Sequence, residues 1–187
     1  MSVSKFSCLD ESSKNYLMEN IASVPDFPKP GILFRDVTPL MQNASAFNIA
    51  TDALAYFAES VGATVIVGPE ARGFVFGCPV ATKANLGFVP VRKPGKLPRK
   101  CVCEEYSLEY GTNTLAIHDD SLKPGDKVVI IDDLLATGGT ALAAAHLCEK
   151  LGAEVVGFGF VIDLVDLKGR DVLKDYEVYS LLEYEGE

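Results

Sequence analysis

Residues Val128-Val129-Ile130-Ile131 form an unbroken apolar run that ends in two adjacent carboxylates, Asp132 and Asp133. Leu134-Leu135-Ala136-Thr137-Gly138-Gly139-Thr140-Ala141 follows, small and hydroxylated toward its end. Gly138 and Gly139 let the backbone approach a ligand closely, and Thr137 and Thr140 add hydroxyl donors. Where such a turn opens into a helix, the free N–H groups and the positive end of the helix dipole make a cradle for an anion. The loop suits a monophosphate, with Asp132 and Asp133 placed to accept hydrogen bonds from sugar hydroxyls. A tight strand-to-helix turn with an N-cap threonine would account for Gly-Gly-Thr alone. It would not account for two carboxylates at the end of an apolar strand, where they serve no packing purpose. No G-x-x-x-x-G-K-[ST] occurs in the chain, and Gly157 and Gly159 lack the third glycine of a dinucleotide fingerprint.

Three further stretches carry groups that could do chemistry. Residues 92–100 hold Arg92, Lys93, Lys96, Arg99 and Lys100 and no acid. For Arg92, Lys93 and Lys96, a position just after a buried strand suits anion binding, whereas Arg99 and Lys100 fit a solvated basic face equally well. Asp26–Asp36 contains Pro28, Pro30 and Gly31 and so excludes a regular helix. It reads as a rigid, exposed turn presenting Leu33 and Phe34, which could also be core anchors. Lys100–Asn113 carries Glu104, Glu105, Tyr106, Glu109 and Tyr110 without strong periodicity. It reads as a mobile lid over about 98–113, or as acids that only balance the adjoining basic run.

The elements that must position these groups alternate. Phe47, Ala50, Leu54, Phe57 and Val61 fall at helical spacing, which predicts an amphipathic helix over roughly 45–60. A buried strand over 64–68, a helix over 73–86 and a strand over 88–92 follow. Lys127–Asp132 is a strand entered through the turn Lys123-Pro124-Gly125-Asp126, and an Ala-rich helix then runs to Leu151 before the apolar run Val155–Ile162. Continuous apolar strands separated by helices predict an α/β fold with a parallel twisted sheet covered on both faces. Ligands in such folds bind at the carboxyl ends of the strands, so the chemistry is expected just after Gly68, Val91, Ile131 and Ile162.

Composition removes other classes. The 187 residues fit one domain. A net charge of −9 argues against a broad nucleic-acid surface, which needs surplus Lys and Arg. No apolar stretch is long enough for a membrane span, and Met1–Asp10 lacks the apolar region of a signal peptide. Five scattered cysteines then fit a reducing, cytoplasmic setting. Cys101-Val102-Cys103 lacks the spacing and second pair of a zinc site, so no protein metal site is expected. Two histidines without a nucleophile signature leave no Ser-His-Asp hydrolase.

The Val128–Ala141 stretch resembles the phosphoribosyl diphosphate (PRPP) signature of the type I phosphoribosyltransferases. Asp26–Asp36, Glu70-Ala71-Arg72-Gly73-Phe74, Arg92–Pro98, Tyr106-Ser107-Leu108-Glu109-Tyr110-Gly111 and Leu167-Lys168-Gly169-Arg170 are similar to blocks of the adenine branch, in family order. The resemblance implies a single domain over 1–187, with a small N-terminal hood (about 1–36) that selects the base, and a homodimer. Its substrates would be adenine and PRPP, with Mg²⁺ bound mainly through PRPP or pyrophosphate. It implies that Phe34 stacks on one face of adenine, Leu164 covers the other, and backbone groups of Leu33 and Arg35 read the base edge. Asp132 and Asp133 would hold the ribose, and Ala136, Thr137, Gly138, Gly139 and Thr140 the 5′-phosphate. Glu70-Ala71-Arg72, with a non-proline cis peptide, would meet pyrophosphate together with Arg92, Lys93 and Lys96. Arg72 and Glu109 would be catalytic, Glu109 as a proton relay on the purine with Tyr110 beside it in the lid. A phosphoribosyltransferase for another base, or a non-catalytic PRPP-binding regulator, would share most of these features.

Overall fold

The structure, a computed structural model, describes residues 9–108 and 111–186. Helix α1 (Glu11–Glu19) leads into an antiparallel hairpin of β1 (Ala22–Pro25) and β2 (Leu33–Asp36). After α2 (Thr38–Gln42) and α3 (Ala44–Ser60) come β3 (Val65–Pro69), α4 (Arg72–Lys83) and β4 (Gly87–Val91). A second hairpin, β5 (Cys101–Leu108) and β6 (Gly111–His118), precedes β7 (Lys127–Leu135) and α5 (Gly139–Lys150). Strand β8 (Glu154–Leu164), a 3₁₀ turn (Val165–Leu167), α6 (Gly169–Val172) and β9 (Val178–Tyr184) complete the chain.

Five strands form one parallel sheet in the order β4-β3-β7-β8-β9. Its central strands bury both faces, which is why they read as unbroken apolar runs. Val129 and Ile131 of β7 face a core with Leu54 and Phe57 of α3 and Phe76 and Val80 of α4. The alternate residues Val128 and Ile130 face a second core with Ala144 and Leu147 of α5 and with Phe158 and Phe160. Each buried leucine, isoleucine or phenylalanine contributes about 1.5–3 kcal/mol, so the two faces fix the sheet's register against slippage. Local signals set the helix starts. The Asp10 carboxylate accepts the Ser13 N–H at 2.7 Å, and the Asn43 side-chain oxygen accepts the N–H groups of Ser45 and Ala46 at 3.0 and 3.2 Å.

Within 98–113, the segment read as a lid without strong periodicity, Cys101–Leu108 is strand paired with 111–118. Val102 and Tyr106 pack toward α5, on the second core, but the residue between them on that face is charged. Glu104 accepts His146 Nδ1 at 2.9 Å and pairs with the Lys150 ammonium. A glutamate at an inward position hides the period-two alternation that marks a strand. Likewise Leu33–Asp36, read as part of a turn, pairs in register with Ala22–Pro25, and only the connection from Asp26 to Ile32 is a turn. Among the described residues no helix is long and apolar enough to cross a membrane.

Hydrogen bonds from Lys150 and His146 hold the Glu104 carboxyl below its usual value of 4.5. A carboxyl depressed on folding adds stability above its unfolded pKa and loses it as pH falls through the folded one. Glu104→Gln is therefore expected to remove part of the acid-induced drop in the urea midpoint below pH 4.5. An unchanged acid slope contradicts this anchor.

Candidate active site

The order of the sheet reverses between β3 and β7: the chain moves from β3 outward to β4, then from β7 outward through β8 to β9. Such a reversal leaves a crevice at the carboxyl ends of the two strands, where loops diverge to opposite faces. A pocket of about 300 Å³ lies there. It is lined by Glu70–Arg72 after β3, by Asp132–Leu135 at the end of β7, by Ala136–Ala141 entering α5, and by Phe160 of β8.

Two helices begin at this pocket. Neither α4, whose N-cap is Ala71, nor α5, whose N-cap is Gly138, carries a side-chain cap. Each helix leaves its first N–H groups without intrahelical partners, and the two positive dipole ends meet at one cavity. The N-cap threonine that could have explained Gly-Gly-Thr is not formed. Gly138 sits at φ +82°, ψ −10°, a left-handed conformation that suits glycine. Thr140 Oγ1 lies 3.2 Å from Tyr106 Oη, so hairpin β5–β6 touches the first turn of α5.

The two carboxylates differ. Asp133 is 5% exposed and accepts the Arg72 Nε–H. Asp132 keeps partial exposure to the pocket and accepts the N–H of Asp133 at 2.9 Å. Burial, and then the charge of Asp133, push its carboxyl well above the usual aspartate range. The Arg72 guanidinium is committed to Asp133 at the end of β7 rather than left free for a ligand. Asp36, at the end of the first hairpin, also feels the Arg72 charge, although the Thr38 hydroxyl and N–H do most to hold its carboxyl low.

Glu70 and Ala71 are joined by a cis peptide. The Glu70 carboxylate accepts the Lys93 N–H and the Arg92 guanidinium, whose Nη2 lies at 3.1 Å. Arg92 Nη1 also donates to the Lys96 carbonyl at 3.1 Å. Glu70 and Arg92 thus tie the loops after β3 and β4 together. Lys93 and Lys96 are exposed and, with Arg92, lie outside the pocket lining. Arg99 and Lys100 pair with Asp120 and Asp119, the solvated arrangement.

On the hairpin β1–β2, the Phe34 ring stands edge-on to Phe27 at 5.1 Å. The Arg35 guanidinium lies over the Tyr184 ring at 4.2 Å and donates to Ser23 Oγ at 2.7 Å. Tyr184 is the register partner of Leu164. The hairpin is thereby brought to the end of β8, where Leu164 is 7% exposed. The structure joins Arg72, Asp132, Asp133 and Ala136–Thr140 in one cavity, and sets Leu33, Phe34, Arg35 and Leu164 outside its lining. Glu109 and Tyr110 lie outside the described residues. Phe160 and Tyr184 have no signal in the sequence alone, whereas Tyr106, read as part of the lid segment, reaches Thr140 at the cavity. Phe160 belongs to the site through its pairing with Asp132, and register is the signal that would have found it.

Residues 42–185 match the phosphoribosyl transferase domain family. An adenine phosphoribosyltransferase of Lactobacillus gasseri is 58% identical over 168 residues, covering 90% of this chain and 96% of that protein. Among solved structures, the adenine phosphoribosyltransferase of Thermoanaerobacter pseudethanolicus superposes with TM-score 0.89 at 48% identity, covering 91% of this chain and 99% of that one. The Saccharomyces cerevisiae enzyme, solved with adenine and an imino-altritol bisphosphate, gives TM-score 0.87 at 39% identity, covering 92% and 99%. The chain, with its pocket at the sheet reversal and its two open helix N-termini, belongs to the adenine phosphoribosyltransferases of the phosphoribosyl transferase domain family.

Proposed function

We propose that this chain transfers the ribose 5-phosphate unit of PRPP to adenine, giving AMP and pyrophosphate. The observation that carries this reading is the pair of uncapped helix N-termini opening on one cavity beside Asp132 and Asp133. The 5′-phosphate takes the N–H groups and hydroxyls of Ala136–Thr140, and the ribose hydroxyls donate to Asp132 and Asp133. Adenine is held between Phe34 of the hood, hairpin β1–β2, and Leu164, with backbone groups of Leu33 and Arg35 at its edge. N9 of adenine attacks C1′ as the bond to pyrophosphate breaks.

The N–H groups after the Glu70–Ala71 peptide, together with Arg72, Lys93 and Lys96, neutralise the departing charge. Arg72 performs this only by sharing its guanidinium between Asp133 and the leaving group. Arg92 serves by fixing the loop through Glu70. Among the described residues no group of three or more His, Cys, Asp and Glu side chains is placed to hold a metal. The Asp132 carboxyl, which lines the cavity, fits a Mg²⁺ ion carried mainly on substrate oxygens and waters. When bound, the ion offsets charge on the diphosphate. Glu109 moves the proton on the purine, and hairpin β5–β6 is the lid that excludes water, acting from a base anchored on α5.

Pyrophosphate release from PRPP across a panel of bases is expected with adenine. Turnover of hypoxanthine, guanine or orotate in its place contradicts the base assignment.

The raised carboxyl of Asp132 adds a pH signature. Its proton persists to a higher pH than on an ordinary aspartate, and the ionised form is the stronger acceptor for a ribose hydroxyl. The KM for PRPP is expected to fall as pH rises through that raised value, and Asp132→Asn to lose this component. Matching pH profiles for the two proteins contradict the role. Because the folded pKa lies above the unfolded one, the same ionisation costs folding free energy, so the empty site grows less stable as pH rises.

A further inference from the structure

Leu167-Lys168-Gly169-Arg170 has so far no task. The segment follows β8 as a 3₁₀ turn, passes through Lys168 at φ +54°, and forms α6. It lies against the outer side of the turn Ala136–Gly138. A Cβ on Gly169 would strike the Ala136 carbonyl oxygen and lie 2.8 Å from Cδ1 and Cγ of Leu135. From the other side, a Cβ on Gly138 would lie 2.8 Å from the Gly169 carbonyl oxygen and 3.1 Å from Cβ of Val172. The two backbones therefore touch, glycine against glycine, with no room for a methyl group on either.

Arg170 holds that contact in place. Its Nε donates to Asp163, its Nη2 to Ser180 Oγ at 2.8 Å and to Glu183 at 3.2 Å, and its Nη1 to the Val178 carbonyl at 3.2 Å. One guanidinium thus bridges β8 and β9. Asp163 is 1% exposed, and its Oδ1 has no hydrogen-bond partner among the described residues, so the buried carboxylate relies on Arg170 for compensation. Leu173, fully buried, pins the far end of α6. Neither Gly169 nor Arg170 lines the pocket.

We propose that residues 168–172 form a rigid backstop that sets the shape of the phosphate loop, with Gly169 and Arg170 as positioning residues for the 5′-phosphate. This rests on the reading of Ala136–Thr140 as the 5′-phosphate site. Backbone donors must be held to within roughly 0.5 Å to keep their hydrogen bonds to an anion. A methyl group forced between the two backbones has to displace them by more than that to clear the Ala136 carbonyl oxygen.

Calorimetric titration of AMP, adenosine and adenine tests this. Gly169→Ala is expected to weaken AMP binding at least about tenfold while adenine affinity changes by less than about twofold. Arg170→Lys, which keeps the charge but loses the fork, is expected to change the AMP-to-adenine ratio in the same direction and by less. It serves as the second test if Gly169→Ala does not fold. An unchanged ratio in folded Arg170→Lys, or equal losses for AMP and adenine in either variant, overturns the backstop. A wild-type protein that binds adenosine as tightly as AMP overturns the phosphate-loop reading itself, and the backstop role with it.

Discussion

A helix that begins without a side-chain cap leaves N–H groups that water or a ligand must satisfy, and here two such helices begin at one cavity. Residues 72–83 and 139–150 start from opposite faces of the sheet, after strands that are neighbours. Their dipole ends point at the same space, each favouring an anion by about 0.3–1 kcal/mol, and by up to about 2 kcal/mol where partly buried. This gives a chain of net charge −9 a strongly anion-seeking site without surplus lysine or arginine at its floor. It also explains how two adjacent carboxylates are tolerated. Asp133 is compensated by Arg72, while Asp132 holds its proton more tightly than usual.

The remainder of the fold keeps those two helix starts fixed relative to each other. Alternating apolar residues of the central strand commit one face of the sheet to the first helix and the other face to the second. Polar ties secure the periphery at a few points. Glu70 with Arg92 joins the two loops on one side, and Arg35 on Tyr184 joins the N-terminal hairpin to the last strand. Glu104 with His146 and Lys150 joins the second hairpin to the helix it covers. The contact of Tyr106 with Thr140 brings that hairpin to the rim of the cavity at the start of residues 139–150.

Much of this was legible before any coordinates. Lys127–Asp132 and Val155–Ile162 announce themselves because strands buried on both faces need no polar alternation. Gly138-Gly139-Thr140 after two carboxylates marks the mouth of the pocket, because glycines at the end of an apolar strand let backbone come close there. Other elements were hidden for equally physical reasons. Cys101–Leu108 concealed a strand because Glu104 faces inward to a lysine and a histidine on the helix over 139–150. Leu33–Asp36 concealed one because its partner is only four residues long and the connection holds two prolines. Arg92 was legible as an anion-binding cation, but its tie to Glu70 was not, because that acceptor is 22 residues away. Phe160 was invisible as a site residue because only strand register places it opposite Asp132. The glycine at 169 was legible as a motif, but its cause, a backbone on the far side of the loop, was not.

In the proposed reaction, backbone N–H groups at the start of residues 139–150, rather than the basic run 92–100, hold the 5′-phosphate. A crystal structure of the protein with AMP and pyrophosphate tests it most directly. The AMP phosphate is expected within hydrogen-bonding distance of the N–H groups of Thr137–Thr140, with the ribose hydroxyls on Asp132 and Asp133. A phosphate held by Lys93 and Lys96, with the turn at Gly138 making no contact to it, would contradict the account.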